Sequence, residues 1–148
     1  MQVDQSLVFS DNFEVDASNE SAWLDLGKGV SPLSLFGSGH ALALVVTTKQ
    51  ALANGGTPAE TYQFQLEMAD TDTGTNAEIV ASTHAINGAS LPAGTMVIAA
   101  VMPKPLYRRW YRLKTVIAGN APAGFVSARL DYLERVQHHP ATPSAVGN

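Results

Sequence analysis

The chain has 148 residues, no cysteine, 45% hydrophobic residues, only 15% charged residues and a formal net charge of −4. Disulfides, cysteine-ligated zinc, iron–sulfur clusters and a thiol nucleophile are therefore excluded, and the negative balance gives no global attraction to nucleic acid or anionic membranes. A domain of this length buries about 68–70% of its unfolded surface and folds without a metal, while a charged fraction below the usual ~25% suits a surface partly covered by partners.

The opening residues lack the basic segment and long apolar run of a signal peptide. The longest apolar runs, 41–46 and 96–102, fall far short of the ~20 residues of a spanning helix, so a soluble protein is expected. Short strands are expected at 6–10 and 22–26. Residues 41–47 are apolar at successive positions, which fits a strand covered on both faces. Residues 48–53 suit one short helical turn.

The clearest strand follows at 62–68, where Tyr62, Phe64, Leu66 and Met68 alternate with Gln63, Gln65 and Glu67. Successive strand side chains point to opposite faces, so the first set should meet a core and the second should meet water. A strand is expected at 78–82, and 95–101 reads like 41–47, apolar on both faces. In 109–117, Tyr111, Leu113 and Ile117 fall on one side and Trp110, Arg112 and Lys114 on the other. In 125–136, Val126, Ala128, Leu130 and Tyr132 alternate with Ser127, Arg129 and Asp131.

Between these segments lie turn-formers such as Gly37-Ser38-Gly39, Asn54-Gly55-Gly56, Asn87-Gly88 and Pro92-Ala93-Gly94. Glycine supplies positive φ and proline fixes φ, so both interrupt regular structure. About eight short antiparallel strands so punctuated define an all-β domain: a sandwich, jelly roll or small barrel. We place this domain at 1–137. The remainder, 138–148, with two prolines and little to bury, reads as a flexible tail or an arm that orders on a partner.

Candidate chemistry is sparse. Asp70, Asp72, Gly74, Asn76 and Glu78 offer alternating oxygen ligands of the sort calcium takes. Their spacing fails the helix–loop–helix calcium signature, and the same residues build ordinary loops, which is the reading preferred. His40 and His84 stand alone, and His138 and His139 are adjacent on the tail rather than in a His-x-His pair. No nucleophile elbow or phosphate loop occurs. No cofactor, no metal and no enzymatic activity are expected.

Residues 104–114 hold five of the nine Lys and Arg residues, interleaved with Tyr107, Trp110 and Tyr111. Arg108, Arg109, Trp110, Arg112 and Lys114 are the candidate interface residues, because Arg, Trp and Tyr anchor protein interfaces. A solvated strand face and a single-stranded nucleic-acid groove are the competing readings; nucleic acid is not the expected partner, nor is a membrane. Asp4, Asp11, Glu14, Asp16, Glu20 and Asp25 put six of the thirteen carboxylates in the first 25 residues. An acidic end and a basic strand can meet within one subunit or between two.

Several segments together resemble the capsid cement (decoration) proteins of tailed bacteriophages. Residues 6–11, 16–18 and 24–27 look like that family's first strands, and 64–70 like its central alternating strand before a polar loop. Residues 107–113, Gly119, Gly124 and 126–130 look like its final pair. The resemblance spans most of 3–136; the segment at 37–40, the loop around Asn54 and the His-Pro tail depart from it.

It implies a jelly-roll subunit on the outside of a capsid, made in the bacterial host cytoplasm. Such a subunit would bridge major capsid protein subunits and self-associate as a dimer or trimer. Two alternatives remain at this point. One is a carbohydrate- or receptor-binding β-sandwich using Trp23 or Trp110 as a platform; the other is a cupin- or glycosidase-type enzyme, disfavoured by the missing His-x-His.

Overall fold

The alternation at residues 62–68 produces the centre of the fold. In the computed structural model, which describes residues 8–25, 42–52, 55, 59–100, 109–120 and 122–132, Tyr62, Phe64, Leu66 and Met68 are all buried in one hydrophobic core. They belong to a strand of nine residues, Thr61–Ala69.

The described residues form nine strands: β1 (Val8–Glu14), β2 (Leu24–Asp25), β3 (Leu42–Thr48), β4 (Thr61–Ala69), β5 (Glu78–Ser82), β6 (Ile86–Asn87), β7 (Met96–Ala100), β8 (Trp110–Ala118) and β9 (Phe125–Tyr132). One sheet has the order β1-β9-β3-β7; the other has β2-β8-β4-β5, with β6 also pairing β4. All pairings are antiparallel.

The connectivity has a simple origin. β1 pairs β9, β2 pairs β8, β3 pairs β7 and β4 pairs β5, so the chain is one long hairpin ribbon whose rungs fall alternately in the two sheets. Rolling it brings β9 against β3 and β8 against β4. That is a jelly roll, the two-sheet solution that wraps an antiparallel ribbon around one core. The all-β sandwich expected from the sequence is the observed fold.

The inward faces meet in a single core: Leu44 and Val46 from β3, Tyr111 and Leu113 from β8, and Val126, Ala128 and Leu130 from β9 join the β4 residues. Each large side chain so buried contributes about 1.5–3 kcal/mol relative to exposure. Leu52 and Leu91 join the same core, with Leu52 N donating to Leu91 O and Leu91 N donating to Gly88 O, both at 3.0 Å. The Tyr62 hydroxyl donates to Leu52 O at 3.0 Å and accepts from Ala123 N at 3.3 Å, which ties two loops to β4. At Gly119 (φ +108°) an added Cβ would lie 2.6 Å from Glu60 Cα, so only glycine fits.

Three expectations need correction. Glu67 was assigned to water by alternation; it does point away from the core, yet it is buried, for reasons given below. The strand at 95–101 was expected to be covered on both faces. β7 instead forms a sheet edge, with Val97 and Ala99 towards the core while Ile98 (38% exposed) and Ala100 face outward.

β3 does have both faces covered, since Ala43 and Val45 are buried opposite Leu44 and Val46. Beside them the β9 pair Arg129 and Asp131 lies 3.6 Å apart, with the Asp131 side chain buried. The third correction is the short helical turn expected at 48–53. The backbone merely bends at Lys49 and Gln50, and a 3-10 turn forms instead at Gly88–Ser90, where Asn87 Oδ1 accepts from Ala89 N. Among the described residues no helix is long and apolar enough to cross a membrane. The expected tail at 138–148 lies outside the described residues.

Candidate protein interface on the outer face of strand β8

Because Tyr111, Leu113 and Thr115 of β8 point inward, Trp110, Arg112, Lys114 and Val116 line its outer face. Register with β4 sets their neighbours: Trp110 opposes Ala69, Arg112 opposes Glu67, Lys114 opposes Gln65 and Val116 opposes Gln63. Directly opposite residues are the ones that interact across a sheet.

The Arg112–Glu67 pair shows this. Arg112 Nε donates to Glu67 Oε1 at 2.7 Å, and Lys114 Nζ stands 4.0 Å from Oε2. The Arg112 guanidinium also lies 4.2 Å from the centre of the Trp23 ring, a cation–π stack. An edge atom of that ring is near Gly74, whose Cβ, if present, would sit 3.5 Å away. Hemmed in by Arg112 and Lys114, beside a register shift between β4 and β5 at Leu66/Glu67, the Glu67 side chain is only 9% exposed.

A second pair sits at the start of β8. Arg109 Nε and Nη2 donate to Asp25 Oδ1 and Oδ2 at 2.7 and 2.6 Å, the forked geometry that makes Arg–carboxylate pairing specific. The hydrogen bond to Asp25, and secondarily its charge, lifts the Arg109 guanidinium above its ordinary pKa. Arg109 also lies 5.5 Å from the Trp110 ring centre.

The structure thus brings Arg109, Trp110, Arg112 and Lys114 together on one face; Arg108 lies outside the described residues. What the sequence did not reveal is that Arg109 and Arg112 are each held by a carboxylate of their own subunit. The acidic and basic segments do meet within one chain, at Asp25 and Arg109. Glu67 had no local signal beyond alternation. Its partner, Arg112, is forty-five residues away and becomes visible only when the β4–β8 register is known.

The other candidates that fall among the described residues resolve as loop and surface. Asp70 Oδ2 accepts from Asn76 Nδ2 at 2.8 Å, and Thr71 Oγ1 accepts from the Thr73 and Thr75 amides at 3.3 and 3.2 Å. Gly74 and Asn76 take positive φ. Residues 70–76 are therefore a hydrogen-bonded turn between β4 and β5, as preferred from the sequence. Among the described residues no group of three or more His, Asp or Glu is placed to hold a metal ion. His84 is exposed, and His40, His138 and His139 lie outside the described residues. One face of Trp23 is occupied by Arg112, which leaves it a poor sugar platform.

By topology the molecule is a jelly-roll β-sandwich whose outer sheet face carries aromatic side chains within a frame of paired charges. Its sequence matches the Bbp16 family model over residues 9–130, from β1 into β9, and the chain belongs to that family. No curated protein matches it.

Proposed function

We propose that this chain is a structural virion protein of a tailed phage, a cement protein that binds the outside of the capsid and bridges major capsid protein subunits. The observation that carries the reading is the Bbp16 match over residues 9–130, which fits a phage protein, on a jelly-roll subunit. The outer face of β8 supplies an anchoring surface. Trp110 is half-buried and Val116 is exposed, and the neighbouring arginines are fixed in place before any partner arrives. Side chains already ordered lose less entropy on binding.

The protein works without catalysis or cofactor, self-associates as a dimer or trimer, and has its place on the capsid surface after synthesis in the host cytoplasm. A ligand that binds only the assembled shell stabilises it by its binding free energy, and modest contacts repeated at many symmetry-related sites add up. The experiment is co-sedimentation with purified capsid shells, together with the melting temperature of the shells. Bound protein and a raised melting temperature support cementing; protein left in the supernatant at every concentration rejects it. Trp110→Ala should weaken shell binding while leaving the subunit folded.

A further inference from the structure

Between β1 and β2 the chain runs along the free side of β8, and its attachment there is unusual. Three β8 amides point at it. Thr115 N donates to Asn19 O at 2.8 Å, but Ile117 N and Leu113 N donate to side chains, Ser18 Oγ at 2.8 Å and Ser21 Oγ at 2.9 Å. In return Ser21 N donates to Leu113 O, Ser18 Oγ donates to Ile117 O, and Asn19 N donates to Thr115 Oγ1. Serine hydroxyls stand where a regular strand would present backbone carbonyls.

No side chain from Asp16 to Ala22 is buried, and all but Ser21 are exposed. Both ends of the segment are anchored. Val15 is buried and its amide donates to Gly124 O at 3.0 Å, while Leu24 and Asp25 pair with Tyr111 and Trp110.

We propose that residues 16–22 form a detachable strap over the edge of β8, one that swings out as a unit while the sandwich stays folded and thereby uncovers a strand edge. Opening breaks hydrogen bonds that water replaces, each of small net worth, and withdraws no buried side chain of the strap from the core. Segments with these properties open at free energies well below global unfolding. The uncovered edge presents the Leu113, Thr115 and Ile117 amides flanked by Arg112, Lys114 and Val116.

Amide hydrogen exchange on the full chain, resolved by residue and repeated across low urea concentrations, tests this. The Leu113, Thr115 and Ile117 amides should exchange at least about a hundredfold faster than those of Arg112, Lys114 and Val116, whose N–H groups alternate to the β4 side. That exchange should be nearly independent of urea. Ser18→Ala should speed Ile117, and Ser21→Ala should speed Leu113, by about fivefold to tenfold, the equivalent of one net hydrogen bond, with the urea midpoint of unfolding nearly unchanged. Equal protection on both sides of β8, rising and falling with urea as global unfolding does, would overturn the strap without recourse to any variant. Serine variants that lower protection equally throughout the sandwich would overturn it as well.

Discussion

Replacing Glu67 with glutamine removes one charge while keeping the size of the side chain and an oxygen that can accept from Arg112. A hydrogen bond to a charged group contributes about 1.5–3 kcal/mol and a neutral one about 0.5–1.5 kcal/mol. The exchange at the 2.7 Å Arg112–Glu67 contact therefore costs on the order of 1 kcal/mol, and the second cation, Lys114 at 4.0 Å, adds to this. Breaking a fully buried pair costs about 3–5 kcal/mol. Arg112 is 22% exposed and Lys114 35% exposed, so water recovers part of their solvation and the lower end applies. We expect Glu67→Gln to lose about 1–2 kcal/mol, or roughly 2–8 °C in melting temperature for a domain of this size.

Equilibrium urea unfolding followed by tryptophan fluorescence is the assay, since Trp23 stacks on the same guanidinium. Combining Glu67→Gln with Arg112→Met should cost less than the sum of the two single changes, because the second then removes an interaction already weakened. Strict additivity, or a loss under about 0.3 kcal/mol for Glu67→Gln, would refute the claim that cross-strand pairing is what keeps this carboxylate buried.

Other changes separate packing, backbone and surface. Phe64→Ala should cost about 3–5 kcal/mol in the urea midpoint, as a large core side chain lost to a cavity. Tyr62→Phe leaves the Leu52 carbonyl without its 3.0 Å donor and should cost about 1–2 kcal/mol, with faster exchange of the Ala123 amide. Gly119→Ala forces a side chain into positive φ against Glu60 and should cost about 3 kcal/mol or more, enough to show in expression yield and melting temperature alike. Arg109→Gln, by contrast, should leave the melting temperature almost unchanged because the side chain is 53% exposed and its pair is a surface one.

Strands whose two faces differ in polarity were legible in their position and inward face, though not in the burial of Glu67 and Asp131 on the opposite face. β4, β8 and β9 lie where period-2 alternation puts them, because burial on one face is what that pattern encodes. The strand expected at 78–82 coincides with β5. β7 illustrates the limit. A run that is apolar at successive positions is compatible with a strand covered twice or with an edge strand, and its place depends on the order of the other strands. Its exposed Ile98 is therefore a consequence of topology.

The candidate site was legible as a set of residues and illegible as a charge state. Arg109, Arg112 and Lys114 are visible in the sequence as a basic run. Their partners come from β2 and β4, forty-five or more residues away, and only sheet register joins them. The serine contacts of residues 18–21 were hidden for the same reason, since Ser18 meets Ile117 across ninety-nine residues.

Paired charges bear on what this face can bind. An unpaired guanidinium entering an interface must be stripped of water and held in one rotamer, both unfavourable. Arg109 and Arg112 enter with carboxylate partners and aromatic contacts already in place, so a partner covering them need supply only shape and the remaining hydrogen bonds. Three described cations stand against the two carboxylates Asp25 and Glu67, so the long-range field is weak and the rate of encounter should depend little on steering. On the proposed reading, shell binding therefore falls only modestly as salt rises. An affinity that drops a hundredfold between low and physiological salt would point instead to free cations as the anchors, and would shift the contact from the paired face to a different surface of the jelly roll.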